Sequence, residues 1–194
     1  MNIVITGHTY GIGQALFKNF KQHNPVGLSR SNGYDIDKDF DKVVKAAQGC
    51  DLFINNAYRD QQQLKLVQAL KKSVGRMIVM GSVSRFYPEL IPTDYVKDKQ
   101  ALAEECRLIS LDPLGIDILH LDLSFIESTD IDKKDPTAFT SDNFITYNEI
   151  VAAVNFWMHN PKVRQMEFVW KLTPFLKSEL YRINPNLDPS RITL

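Results

Sequence analysis

Residues 2–6, Asn-Ile-Val-Ile-Thr, form a short apolar, β-branched run, and glycines follow at positions 7, 11 and 13. Such a run suits a buried central strand. Ile12, Leu16 and Phe20 then recur at helical spacing. A buried strand, a tight glycine turn and a helix start in that order define a strand–turn–helix unit. Its small residues let the backbone approach an anion without a Cβ in the way. The first N–H groups of the helix and its dipole favour a pyrophosphate there. Three glycines in such a turn also have a purely structural reading.

A second cluster lies further on. Residues 76–81 (Arg-Met-Ile-Val-Met-Gly) read as another buried strand, ending at Ser82. From Thr93 the pattern turns helical, with Val96, Leu102, Cys106 and Ile109 apolar and Thr93 or Asp94 as the cap. Tyr95 and Lys99 are four apart on that helix and share one face. A neighbouring ammonium stabilises a phenolate and lowers the phenol pKa, as a general acid working near neutral pH requires. A serine hydroxyl at the end of the adjacent strand suits a substrate oxygen. Taken alone, Tyr-x-x-x-Lys is also common on solvated helix faces.

The run Thr6-Gly7-His8-Thr9-Tyr10-Gly11-Ile12-Gly13, with Ser82 placed 13 positions before Tyr95 and with Lys99 after it, resembles the short-chain dehydrogenase/reductase family. The resemblance covers about Met1 to Pro174. It implies a Rossmann-type α/β fold, doubly wound around a mostly parallel sheet, in a single domain over residues 1–174 with a C-terminal tail at 175–194. It also implies hydride transfer between a nicotinamide cofactor and a small carbonyl or alcohol. Tyr95 would exchange the proton, Lys99 would tune it and hold the nicotinamide ribose, and Ser82 would orient the oxygen. Gly7, Thr9, Tyr10, Gly11, Ile12 and Gly13 would form the cofactor loop. In the run 51–57, which resembles the family's Asn-Asn-Ala-Gly element, Asn56 and Ala57 would border the cofactor and Asn55 would brace the strand ends. Tyr58 stands in place of the glycine. Asp35 and Ile36 resemble the pair that contacts adenine, although carboxylates at 35, 37, 39 and 41 also read as loop solvation. Ile126 matches a position that meets the carboxamide, and Ser128 one whose hydroxyl touches the cofactor.

Residues 25–28 read as the second strand. Where NAD-using members carry an acidic residue at its end, this chain has Ser29 and then Arg30, and a guanidinium suits a 2′-phosphate. NADP(H) is therefore expected over NAD(H). Tyr10 stands where many NADP-using members carry a second basic residue.

The chain is short for the family. Only five residues separate Leu28 from Tyr34, whereas adjacent parallel strands need a crossover of roughly a dozen or more. The helix after the second strand is thus expected to be missing, leaving residues 34–36 at most a stub strand at the sheet edge. Between Ala57 and Arg76 one helix fits, over 61–73, with Leu64, Val67 and Leu70 apolar. The asparagine that completes the family's catalytic tetrad has no evident counterpart there, and Asn55, Asn56 and Gln61 are the candidates. After a strand at 116–121 the family's Pro-Gly is replaced by Leu123-Ser124. Residues 128–143 read as a substrate-covering lid or an ordinary surface loop. A helix is expected over 147–159, a last strand over 165–172, and a tail that wraps a partner subunit or covers the pocket.

With 23 basic and 23 acidic residues dispersed along 194, the net charge is zero. Nothing points to nucleic acid or a membrane surface. No signal peptide or long apolar span is seen, so a cytoplasmic location is expected. Cys50 and Cys106 are too far apart for a metal or redox motif and read as reduced thiols. The four histidines have no ligand spacing, so no metal is expected; His8 reads as a phosphate contact or a loop-surface histidine. Family members commonly pair, which implies a homodimer or homotetramer. The alternative function is a non-catalytic nucleotide-sensing or scaffold module, against which the Ser82–Tyr95–Lys99 spacing weighs. A sugar-nucleotide epimerase would need a longer C-terminal substrate domain.

Overall fold

The computed structural model describes residues 1–89, 93–124, 126, 145–163 and 165–168. Six parallel strands make one sheet: β1 (Ile3–Thr6), β2 (Val26–Leu28), β3 (Leu52–Asn55), β4 (Arg76–Met80), β5 (Asp117–Leu123) and β6 (Gln165–Phe168), in the order β2-β1-β3-β4-β5-β6. Every pairing is parallel. The central strands are buried on both faces, which is why they read as continuous apolar runs rather than alternating ones.

Helices cover both faces. On one, α1 (Gly11–Asn19) and α5 (Tyr147–His159) pack Leu16, Ile150, Val154 and Trp157 over Ile3, Ile5, Ile54 and Leu119. On the other, α2 (Phe40–Ala47), α3 (Gln62–Leu70) and α4 (Asp94–Leu111) pack Val43, Leu66, Val67, Leu102 and Cys106 over Val4, Phe53, Met77 and Ile118. Local signals set the ends: Thr93 caps α4 by accepting from the Val96 N–H, and Thr146 and Glu149 form a capping box on α5. Cys50 and Cys106 are free and buried, and burial pushes the Cys50 thiol up to about 11 and the Cys106 thiol higher still.

The sheet edge departs from the sequence-based expectation. No α-helix lies between β2 and Tyr34, as expected; a 3₁₀ turn at Arg30–Asn32 takes its place. The stub strand at 34–36 does not form. Ser29 closes this turn on itself, donating its N–H to Asn32 Oδ1 at 2.9 Å while Asn32 Nδ2 donates to the Gly27 carbonyl at 2.8 Å. Asp35 accepts the Asp37 N–H at 2.9 Å, and Asp39 accepts the Asp35 N–H at 3.0 Å. These carboxylates build a turn where a strand would need its own N–H groups free for the ladder. The chain then enters α2, a helix not anticipated although Phe40, Val43, Val44 and Ala47 keep helical spacing. The helix over 61–73 is shorter than expected, and residues 169–172 of the expected last strand lie outside the described residues, as do the region 128–143 and the tail.

Strand order reverses at β1: the chain leaves it for β2 on one side and returns through α2 to β3 on the other. Beyond the carboxyl ends of β1 and β3 this leaves a crevice, the place where open α/β sheets bind ligands.

Candidate active site

The crevice is lined by the glycine loop. Gly7 has φ +70° and donates its N–H to the Leu28 carbonyl at 2.7 Å. A Cβ on Gly13 would collide with the Gly7 carbonyl and reach Asn56 Nδ2 at 2.7 Å, so loop and helix touch through bare backbone. Thr6 Oγ1 accepts the N–H groups of Asn56 and Ala57, each at 3.0 Å, and Asn56 Nδ2 donates to the Thr6 carbonyl at 3.1 Å. Those bonds tie the end of β1 to the end of β3. No side chain caps α1 and no acidic residue lies in its first turn, so its N-terminal N–H groups suit a phosphate.

A cavity of about 970 Å³ opens from this cradle. Of the residues read as cofactor contacts, Gly7, Thr9, Tyr10, Ser29, Arg30, Asp35, Ile36, Asn56 and Ala57 line it; Gly11, Ile12 and Gly13 stand behind it in the loop and first turn. Lys38 and Arg59 join Arg30 on the wall, two cations the sequence reading did not single out. The Asp35 carboxyl is held below the usual range, first by the Asp37 N–H and also by Arg30 and Lys38. A glycine cradle and an uncapped helix start suit a phosphate-bearing ligand, and the wall carries both cations (Arg30, Lys38, Arg59) and carboxylates (Asp35, Asp37). Ile126 forms an isolated bridge with Ile145, and Ser128 lies outside the described residues. The His8 ring packs at a tilt against Phe17, with centroids 5.0 Å apart, and its Nδ1 is buried without a partner.

Ser82, Tyr95 and Lys99 form a second cluster beyond Tyr58. Ser82 follows β4 and caps a 3₁₀ turn (Val83–Phe86), its Oγ 2.9 Å from Ser84 Oγ. Burial raises the Tyr95 phenol above its ordinary pKa, and the Ser82 hydroxyl pulls the other way. Lys99 is 3% exposed and donates to Gln63 Oε1 at 2.7 Å and to the Met80 carbonyl at 2.9 Å. Its Nζ lies 5.0 Å from the Tyr58 ring centroid and 5.6 Å from that of Tyr95. Burial brings the Lys99 pKa down to about 8, with Asp122, Cys106 and Asp98 opposing that shift. The ammonium is thus held between the Gln63 side chain of α3 and the Met80 carbonyl of β4.

Tyr58 stands between the two clusters. Its ring meets Tyr95 edge-on at 4.9 Å and its hydroxyl donates to Asp98 Oδ2 at 3.1 Å. Burial and Asp98 push its pKa up to about 12. Of the three candidates for the missing asparagine, none meets Lys99 in a hydrogen bond: Asn55 Nδ2 donates to the Gln63 carbonyl, Asn56 braces Thr6, and Gln61 precedes α3. Gln63 makes that contact instead. A signal was present, because Gln63, Leu66, Val67 and Leu70 form the buried stripe of α3 and only Gln63 is polar.

Behind Ser82 a buried ionic group braces the turn. Arg85 donates Nε to Asp122 Oδ1 at 2.9 Å and Nη2 to Oδ2 at 2.7 Å, and His120 Nδ1 is 3.4 Å from Oδ2. Among the described residues no group of three or more His, Cys, Asp or Glu side chains could hold a metal, and no helix is long and apolar enough to cross a membrane.

No protein-family model and no curated protein sequence matches the chain. Solved structures do. A bulky-bulky ketone specific alcohol dehydrogenase from Comamonas testosteroni is 15% identical, with a TM-score of 0.69 over 100% of this chain and 97% of that one. The fold is that of the short-chain dehydrogenases. A short-chain dehydrogenase from Sphingobium yanoikuyae, in complex with NADPH, is 14% identical with a TM-score of 0.67, covering 100% of this chain and 99% of that one. The 3-alpha-hydroxysteroid dehydrogenase from Pseudomonas sp. B-0831, complexed with NADH, is 15% identical with a TM-score of 0.65, covering 87% and 95%. The short-chain dehydrogenase fold is thus retained here around a six-stranded parallel sheet that ends at β2.

Proposed function

We propose that the protein is an NADP(H)-dependent oxidoreductase that interconverts a carbonyl and an alcohol on a small molecule. The observation that carries this reading is the grouping of Ser82, Tyr95 and Lys99 at the end of β4 and the start of α4, one tyrosine away from a cation-walled cavity. A bound nicotinamide supplies or accepts the hydride. Ser82 donates its hydroxyl to the substrate oxygen and Tyr95 gives or takes the proton. Lys99 keeps a positive charge beside the phenol, which lowers the cost of the phenolate once the Tyr95 hydroxyl faces substrate. Exposed Leu108, Leu111 and Leu114 at the end of α4 and just beyond it support a homodimer or homotetramer.

For the extra phosphate, Arg30 is the principal partner, with Lys38 and Arg59 on the same wall. Hydrogen bonds to a charged group contribute about 1.5–3 kcal/mol, so Arg30→Ala should raise the Kd for NADPH about 10- to 100-fold and leave NADH binding unchanged. Calorimetric titration of the wild type and the variant with both nucleotides measures this directly. Equal losses for NADPH and NADH would remove the 2′-phosphate reading, and tighter NADH binding by the wild type would reverse the cofactor choice. Binding of neither would end the oxidoreductase proposal.

One observation favours a second reading, a nucleotide-sensing module without redox chemistry. The Lys99 ammonium is already engaged by Gln63 and Met80 beneath the Tyr58 ring. Nucleotide binding without turnover across a panel of ketones, aldehydes and alcohols would select it.

A further inference from the structure

We propose that Gln63 is the positioning residue for Lys99, an amide fixed by two backbone carbonyls so that its oxygen holds the buried ammonium between β4 and α3. Its Nε2 donates to the Asn55 carbonyl at 2.9 Å and to the Met80 carbonyl at 3.0 Å. An amide with both N–H groups committed cannot flip, because its oxygen would then face two carbonyl oxygens. Oε1 is therefore held toward Lys99 Nζ at 2.7 Å. Gln63 is 1% exposed, so no water competes for this contact.

The choice of an amide has a chemical consequence. A buried lysine needs acceptors, and a carboxylate would supply one while cancelling its charge. Gln63 and the Met80 carbonyl stabilise the ammonium by dipoles alone. The positive charge stays available to the neighbouring phenol, 5.6 Å away from ring centroid to Nζ. The other groups that face Lys99 are Asp122 from β5, Asp98, Cys106 and Tyr95 from α4, and Tyr58 from the turn after β3. Asp122 is itself paired with Arg85 and still adds to the support of the ammonium. The inference borrows its purpose from the proposed Tyr95 chemistry, but the lock on Lys99 stands on contacts that need no substrate.

The test follows Lys99 directly in the nucleotide-free protein. Lysine labelled with ¹³C at Cε reports each ammonium through its chemical shift during a pH titration, and the Lys99 signal is assigned by its absence in Lys99→Arg. Its midpoint should lie near 8, below the ordinary lysine value. Gln63→Met keeps the length and removes the acceptor, and should lower the midpoint by about one pH unit or more. Gln63→Glu replaces the dipole with a charge and should raise it by a similar amount, about one unit. A midpoint that stays within about 0.3 unit of wild type in either folded variant would overturn the proposal, because a merely space-filling glutamine moves Tm and not this titration. The two variants are read independently, so failure of one to fold leaves the other decisive. Loss of the Tyr95 mechanism with the Gln63 shifts intact would remove the oxidoreductase reading alone.

Discussion

Replacing Tyr95 with phenylalanine should lower turnover of any carbonyl or alcohol substrate by about 10²- to 10⁴-fold, the range that one positioned general acid or base contributes. The substitution removes one oxygen and keeps the ring. The edge-on contact with Tyr58 at 4.9 Å and the placement of α4 do not depend on that oxygen. NADPH affinity and thermal stability should therefore stay close to wild type, within about threefold for Kd. Turnover and calorimetry on the same preparation separate the two effects. Turnover unchanged in the variant would remove Tyr95 from the chemistry, and a parallel loss of nucleotide binding would show that its role is structural. The raised pKa of the phenol adds a direction. Alcohol oxidation, which needs the phenolate, should weaken as pH falls, whereas carbonyl reduction, which needs the phenol, should weaken as pH rises.

The largest stability effect is expected at Arg85. Removing one partner of a buried ion pair costs about 3–5 kcal/mol, because the other charge stays behind in a poorly solvated site. Asp122 is fully buried, and Arg85→Met leaves its carboxylate facing His120 without the guanidinium. In the wild type, His120 and Arg85 hold the Asp122 carboxyl below its ordinary pKa against the opposing effect of burial. Its contribution is therefore present above the unfolded pKa and is lost as pH falls through the folded one. Of these two partners only His120 still opposes burial in the variant, so the folded pKa of Asp122 should rise relative to wild type. The folded variant then binds more protons than the folded wild type, so the loss relative to wild type should shrink as pH falls from about 7.5 to about 5. Urea denaturation at both pH values distinguishes these cases. A loss below about 1 kcal/mol at neutral pH would mean the pair is no stronger than a surface one. A loss that does not shrink on acidification would mean the carboxylate is not trapped.

Most of the fold was legible because its signals are local. The strands β1, β3 and β4 are unbroken apolar runs, and α4 and α5 carry a threonine cap and a clean apolar stripe. α2 was missed because aspartates at 35, 37, 39 and 41 lead into it and mask the periodicity of Phe40, Val43 and Ala47. The stub strand was over-read for the opposite reason, since residues 34–36 look extended until the carboxylates of Asp35 and Asp39 are seen accepting backbone N–H groups nearby. At the site, sequence spacing located Ser82, Tyr95 and Lys99 and most of the cavity wall. It did not locate Gln63, Tyr58's contact with Tyr95, or the Arg85–Asp122 pair. Those depend on side chains from separate elements meeting in space, 36 to 37 residues apart for Gln63–Lys99 and Arg85–Asp122, and no local pattern encodes such meetings.

The two buried cysteines make the protein its own clock for opening. Thiolate is the reactive form, and with both thiols shielded and their pKa values raised, an alkylating reagent finds almost none in the closed molecule. Each alkylation event therefore counts an excursion that uncovers that sulfur. Cys50 sits where α2 runs into the amino end of β3, and Cys106 sits in the long helix α4. Faster capture of Cys50 than of Cys106 would locate the softest part of the molecule at the junction of α2 and β3, and slowing of that capture by added nucleotide would report stiffening carried from the carboxyl ends of the strands to their amino ends.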